Sequence, residues 1–560
     1  MTSRKGTTYN GCIAYTILFS APRGGAHRRC RRTRIFGYNF CCQIFFPCRI
    51  VKNGGIITFE QSYILTQDIG LFSCKAALFH TDGTLIKSNV VHYRPDSNDK
   101  GWAWQSPELW WKAFCQNCHT LLAGISPADV KGICLCGQMM GCLPVDCSVK
   151  PLCDSITWDD QRSVHELQLI RKTLGNETIH RITGTCIGHS FALPQVLWLR
   201  ANQPEIYENT YKILTCKDYI NYRLTGALCT DESSAGFTQM YDLYGHCWSK
   251  TILDAFSIDE NKLCEVVPLG SILGTLTAEA AEQTGLSPHT RVVQGLGDGR
   301  APAIGCGLLS PGDAYINLGS CSWISQCTRS HTLDPAHSIT KASYGIAPEL
   351  YVNGGTTLAG RYCIDWFINT FSSREGLSAA SLSSFLDEQV RNSPVGSRGL
   401  VFMPYLRGER APWWNSSAGG AFIGLSSRHT RPDLCRSILE GVAFQLSQMK
   451  DRIAPLEPFG RVWLAGSAAS PAWQQIFSDV LELEITSFDN SAFIGCIGCA
   501  LVCGVALGDY KDYTEVARFQ RNPLITRPIE KNVKLYQEMF PTFEDCCCAL
   551  ADISRHLCQL

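Results

Sequence analysis

At 560 residues the chain is too long for one hydrophobic core, so two large domains of roughly 200–250 residues are expected. Its composition, 45% hydrophobic and 18% charged, excludes a disordered or fibrous protein. Fifty basic and fifty acidic residues balance, so no global field points to nucleic acid or a membrane surface.

The balance conceals an asymmetry. Residues 1–59 hold ten Lys or Arg and no Asp or Glu, which leaves 40 basic and 50 acidic residues in the remainder. The Arg-rich stretch His27–Arg34 is compatible with organelle targeting, but the segment reads first as a disordered N-terminal extension or a gene-model error. No run of about 18 uncharged apolar residues occurs, so no transmembrane helix is predicted. The 30 cysteines sit largely in apolar or small-residue runs such as Ile133-Cys134-Leu135-Cys136, where a thiol acts as a small hydrophobe. A chain this long needs no disulfide staples, so the pattern implies reduced thiols and a cytoplasmic setting.

In chain order, the globular part opens at Tyr63–Phe79 with two strand-like runs flanking a Gly-containing bend at Asp68–Ser73. His80-Thr81-Asp82-Gly83-Thr84 adds a hairpin signal, so an antiparallel meander is predicted. Ser106-Pro107-Glu108 predicts a helix with an N-cap serine, proline at its first position and an acid in its first turn. A short strand follows at Gly132–Leu135. At Asp313–Ile324 the first opening's design returns: apolar run, Gly/Ser turn, apolar run. Ser470-Pro471-Ala472-Trp473 repeats the capping device after the strand Val462-Trp463-Leu464. The alternation of strands and helices argues α/β architecture, and two similar openings suggest a duplicated fold with a cleft between the copies. The boundary is placed between residues 307 and 308, giving domains 60–307 and 308–560.

The chemistry concentrates in a few segments. Val292-Val293-Gln294-Gly295-Leu296-Gly297-Asp298-Gly299-Arg300 drives an apolar strand into a Gly-flanked carboxylate, exposing Asp298 at a strand end. The fingerprint of dinucleotide binding is excluded, because Arg300 stands where its third glycine should fall. The two Gly/Ser turns are candidate phosphate cradles, since glycine lets backbone N–H groups approach closely.

Together these segments resemble the FGGY carbohydrate kinases, and among them the xylulokinases. The resemblance rests on seven motifs in order across residues 62–515: Asp68-Ile69-Gly70; Cys136-Gly137-Gln138-Met139-Met140-Gly141; Ile156–Arg162; Gly297-Asp298; Leu318–Ser322; Phe402–Pro412; and Ala465–Trp473. It implies two ribonuclease-H-like domains of the actin/hexokinase type closing on ATP and a sugar. By that similarity Asp298 is the general base and Asp68 holds Mg²⁺ through water. Gly70, Ser73, Gly319 and Ser320 line the phosphates, while Gly360, Gly466, Ser467 and Ser470 contact the adenosine. Met139, Met140, Arg162, Asp298 and Gly299 face the sugar. The implied reaction is ATP-dependent phosphorylation of D-xylulose to xylulose 5-phosphate.

Two departures bear on substrate and rate. Xylulokinases usually carry Met-His where this chain has Met139-Met140, which removes a hydrogen-bonding partner and keeps ribulose, sedoheptulose or another polyol in play. Leu71-Phe72 replaces the usual hydroxyl residues after Asp-x-Gly, which raises a weakly active or purely sugar- or nucleotide-binding descendant as the alternative. Cys115-Gln116-Asn117-Cys118-His119 matches a haem-attachment pattern, but it falls within a predicted amphipathic helix and is read as packing. Cys546-Cys547-Cys548 lacks partners at zinc spacing, and Trp102 and Trp104 are read as packing residues.

Overall fold

The computed structural model describes residues 50–52, 55–57, 62–329, 333–334, 339–371, 379–415 and 417–557. The backbone divides into a unit ending at Glu60 and another running from Gln61 to Leu560. In the first unit, Ile50–Lys52 and Gly55–Ile57 pair as antiparallel strands; the expectation of a disordered or targeting leader otherwise lies outside the described residues.

The second unit is built on two mixed sheets. One contains β1 (Tyr63–Ile69), β2 (Ser73–His80), β3 (Leu85–His92), β4 (Val130–Gly137), β5 (Ile272–Thr275) and β6 (Arg291–Gly297), in the order β5-β6-β4-β1-β2-β3. The other contains β7 (Ala314–Leu318), β8 (Ser322–Thr328), β9 (Thr340–Ser343), β10 (Tyr351–Thr357), β11 (Val462–Ala465), β12 (Ile485–Ser487) and β13 (Leu524–Thr526), in the order β9-β10-β8-β7-β11-β12-β13. Each sheet begins with an antiparallel hairpin, β1–β2 or β7–β8, whose first strand then pairs in parallel with a later one, β4 or β11. The chain is thus a two-domain α/β protein with the same device used twice. β1 and β7 lie inside their sheets and are buried almost throughout, so neither shows the alternation of a strand with one solvated face.

Seven helices matter to the site: α1 (Pro107–Leu122), α2 (Cys216–Thr225), α3 (Glu232–Gly236), α4 (Ala301–Cys306), α5 (Arg361–Phe371), α6 (Pro471–Leu481) and α7 (Ile494–Leu507). α1 starts at Ser106-Pro107 as expected, but the Ser106 side chain makes no capping bond. Ser470 does cap α6, accepting the Trp473 N–H at 3.3 Å.

α4 and α7 cross closely. A Cβ on Gly498 would fall 2.0 Å from the Ala301 carbonyl oxygen, and one on Gly305 2.4 Å from that of Ile494. This explains the run Gly495-Cys496-Ile497-Gly498-Cys499-Ala500: only small side chains permit that approach. Around the crossing, one continuous core takes residues from both sheets, including Ile64, Cys134 and Val293 from the first and Tyr315, Trp463 and Ala465 from the second. The 24 cysteines among the described residues are all free, most of them buried. No helix among the described residues is long and apolar enough to cross a membrane.

Candidate active site

In a sheet whose central strands run parallel, loops converge at their carboxyl ends, and ligands bind there. The candidate residues follow that rule. Asp68 is the penultimate residue of β1, Met139 and Met140 follow β4, and Asp298 follows β6. In the second sheet Gly319 and Ser320 follow β7, and Gly466 and Ser467 follow β11. A cleft open to solvent is lined by Met139, Met140, Asp298 and Gly299 from one side and by Cys321, Trp323, Gly355 and Arg410 from the other.

The Asp298 carboxyl is half-buried and its pKa is pushed up to about 7. Burial is the first cause and the neighbouring charge of Asp68 the second; the Gly299 N–H, Lys75 and Arg300 pull the other way. A carboxylate with this affinity for protons is suited to accept one from an alcohol at neutral pH. Asp68 faces Lys75 across the β1–β2 hairpin, with Nζ 3.9 Å from Oδ2. A Cβ on Gly495, in the first turn of α7, would lie 3.3 Å from the same Oδ2, so a helix N-terminus, where negative charge is favoured, adjoins this carboxylate.

The first Gly/Ser turn is tight. Gly70 N–H donates to the Ser73 carbonyl at 2.9 Å, and the Gly70 carbonyl accepts from the Tyr93 hydroxyl at 2.8 Å. Leu71 is turned into the protein at 5% exposure, its carbonyl accepting from Gln105 Nε2 at 2.8 Å, whereas Phe72 stands out at 44%. Gln138 Nε2 donates to Gln105 Oε1 at 2.7 Å, which ties the Met139-Met140 segment to this turn through one buried amide. Met139 is buried against Gly297: a Cβ there would come within 2.4 Å of its Cγ and Sδ. Met140 sits in the left-handed region at φ 66°.

The second turn repeats the design, with Gly319 N–H donating to the Cys321 carbonyl at 3.0 Å. Glycines pack around it. A Cβ on Gly360 would lie 2.8 Å from the Gly319 carbonyl oxygen, and one on Gly466 2.4 Å from that of Leu318. Gly319, Ser320, Gly360, Gly466, Ser467 and Ser470 therefore gather at one end of the second sheet, beside the N-terminus of the eleven-residue helix α6. Such a cradle of glycines and a helix start fits a polyphosphate and its nucleoside.

Arg162 is not brought to the cleft. Its Nε lies 2.9 Å from both oxygens of buried Asp160, and its guanidinium carbon is 4.6 Å from the Trp102 ring and 5.1 Å from that of Trp198. The residue of that motif that lines the cleft is Trp158. Sequence reasoning also missed Arg410, whose guanidinium carbon stands 5.8 Å from the rings of both Trp158 and Trp414. Arg300 was passed over too; it is 5% exposed and lies 5.2 Å over Phe237. Burial lowers the pKa of both arginines. The signal for them was position alone, since Trp158 and Arg410 sit inside two of the recognised motifs and Arg300 two residues past Asp298. Among the described residues no three His, Cys, Asp or Glu side chains cluster as a metal site.

Comparison with known proteins matches both halves of the chain. The N-terminal domain of the FGGY family of carbohydrate kinases matches residues 63–305, and its C-terminal domain matches residues 314–507. The xylulose kinase of Lactococcus lactis subsp. lactis (strain IL1403) is 30% identical over 528 residues, 89% of this chain and 99% of that protein. The gluconokinase of Bacillus subtilis (strain 168) is 28% identical over 492 residues, 86% of this chain and 95% of its own. The crystal structure of gluconate kinase from Lactobacillus acidophilus superposes with a TM-score of 0.80 at 25% identity, covering 88% of this chain and 98% of that one. With both domains matched in order and a relative this similar along nearly its whole length, the chain belongs to the FGGY family of carbohydrate kinases and is a sugar kinase.

Proposed function

We propose that the chain phosphorylates a ketopentose, D-xylulose to xylulose 5-phosphate, with Asp298 as the base. The observation that carries the base assignment is the Asp298 carboxyl itself, held at the end of β6 on the cleft with its pKa pushed up to about 7; the choice of sugar rests on similarity to the xylulose kinases. Residues 60–307 are assigned as the sugar-binding domain and 308–560 as the ATP-binding domain. ATP would supply the phosphoryl group, and Asp68 would help hold a Mg²⁺ whose charge would offset that of the phosphates. Ser73 and the turns at Gly70 and Gly319-Ser320 would line the phosphates. Gly360, Gly466, Ser467 and Ser470 would bound the adenosine; because Ser470 Oγ caps α6, its share is to fix the loop. Met139, Met140 and Gly299 would form the sugar wall, with Arg162 bracing the Trp158 segment from behind.

Asp298 accepts the proton of the acceptor hydroxyl as that oxygen bonds to the γ-phosphorus and the bond to the bridging oxygen of ADP breaks. The aromatic and glycine walls would orient the hydroxyl toward Asp298. A different ketose or polyol is the second reading, favoured by Met140, which offers a sugar hydroxyl only a weak sulfur acceptor. The free, mostly buried thiols support a reducing, cytoplasmic setting. ADP release over a panel of ketoses, polyols and gluconate, beside Asp298→Asn, tests the proposal. Xylulose-dependent release abolished by the substitution supports it; release without any acceptor, or unchanged in the variant, defeats it.

A further inference from the structure

β6 is supported unevenly along its length. On one side β4 accompanies it to the end, pairing Gly297 with Gly137, and the Asp298 N–H donates to the Gly137 carbonyl at 2.9 Å. On the other side β5 and the residues before it reach only Gln294, whose N–H and carbonyl bond to Ser271 and Gly270. Successive N–H groups of a strand point in opposite directions, so the N–H of Gly297 faces the side where no strand remains. A buried N–H without an acceptor is costly.

Ser233 fills that gap, its Oγ accepting the Gly297 N–H at 3.0 Å. Its hydroxyl is oriented in turn. The Ser233 O–H donates to Asp231 Oδ2, which also accepts the N–H groups of Ser233 at 2.9 Å and Ser234 at 3.2 Å. Asp231 Oδ1 accepts from Ser234 Oγ at 2.6 Å and lies 3.1 Å from Lys217 Nζ, which also reaches Asp218 at 2.6 Å. Ser233, Asp231, Lys217 and Asp218 are all at most 2% exposed. With its proton committed to Asp231, the Ser233 oxygen can only accept, and a buried ion pair fixes the acceptor's place.

We propose that Ser233 is a positioning residue for Asp298: through Gly297 it holds the last peptide of β6, and with it the base, in register with the acceptor hydroxyl. The proposal rests on the reading of Asp298 as base. No side chain at residue 297 could do the same work, because a Cβ there collides with Met139.

Ser233→Ala tests it, with steady-state kinetics and amide hydrogen exchange measured on the full chain. The expected result is a fall in kcat of about 10- to 100-fold, the scale of a small misplacement of a catalytic group. The KM values for sugar and ATP should stay within about twofold, and faster exchange should be confined to residues 293–300. A kcat within about twofold of the parent overturns the proposal. So does a loss accompanied by faster exchange throughout the first sheet, or expressed as raised KM, because Ser233 would then be a general packing contact. Asp298→Asn, run alongside, separates the two ideas: if it keeps turnover, the base assignment fails whatever Ser233 does.

Discussion

Lys75 Nζ lies 3.9 Å from Asp68 Oδ2, the two being direct partners across the β1–β2 hairpin, and both act on the Asp298 carboxyl with opposite sign. Asp68 raises the pKa of Asp298 and Lys75 lowers it. The base works deprotonated, so kcat/KM should rise with pH through about 7. Lys75→Met should move that limb to higher pH and Asp68→Asn to lower pH, each by about half a unit to one unit, as for charges acting across a water-accessible cleft. A pH–rate profile of each variant checks this; limbs moving in the same direction would refute the coupling.

Asp298→Asn should remove turnover by a factor of about 100 or more and yet stabilise the fold above neutrality. Because the folded-state pKa is raised, the stability that the protonated carboxyl contributes is complete below the unfolded value of about 4 and lost as pH rises through about 7. At pH 8 the parent therefore bears a charged, desolvated group and the asparagine variant does not. Allowing for the carboxyl's partial access to water, the gain is about 1–3 kcal/mol. Thermal melts at pH 8 should show the variant higher by a few degrees, with the gap closing at pH 4.

The position of Asp298 at a strand end was legible locally, from an apolar run ending between glycines, whereas its role came from the resemblance across seven motifs in order. The two Gly/Ser turns were legible locally too, as were the hairpins on either side of them. What stayed hidden depends on contacts between segments distant in sequence. Nothing near Arg162 announces that Asp160, Trp102 and Trp198 enclose it and leave Trp158 to face the cleft. The support of Gly297 by Ser233 spans 64 residues, and the reason for it, the early end of β5, exists only once the sheet is assembled. The glycines at 305 and 498 likewise look like loop residues until α4 and α7 cross.

Leu71 and Phe72, adjacent in the first turn, should respond to substitution in opposite ways. Leu71 is 5% exposed, so Leu71→Ser both opens a cavity and buries a hydroxyl, costing about 2–4 kcal/mol. Phe72 is 44% exposed, so Phe72→Ser should leave the melting temperature within about 1 °C. It also places a hydroxyl beside the phosphates and should lower the KM for ATP. Melting curves and ATP titrations of the two variants separate the effects. An unchanged KM in Phe72→Ser would show that this side chain stands clear of the nucleotide.

Met140→His should improve the enzyme on the proposed substrate. Residue 140 occupies the left-handed region at φ 66°, where histidine is several-fold better represented than most side chains, so the exchange asks nothing new of the backbone. The side chain lines the cleft with Asp298 and Met139, and methionine offers a sugar there only a weak sulfur acceptor. An imidazole there adds one hydrogen bond to a hydroxyl, worth about 1 kcal/mol, which corresponds to roughly a fivefold rise in kcat/KM for D-xylulose. If D-xylulose is the natural acceptor, the gain should appear on it and not on gluconate, whose carboxylate is recognised by charge. A gain on gluconate alone, measured in the same ADP-release assay, would move the substrate assignment from the ketose to the sugar acid while leaving Asp298 in its role.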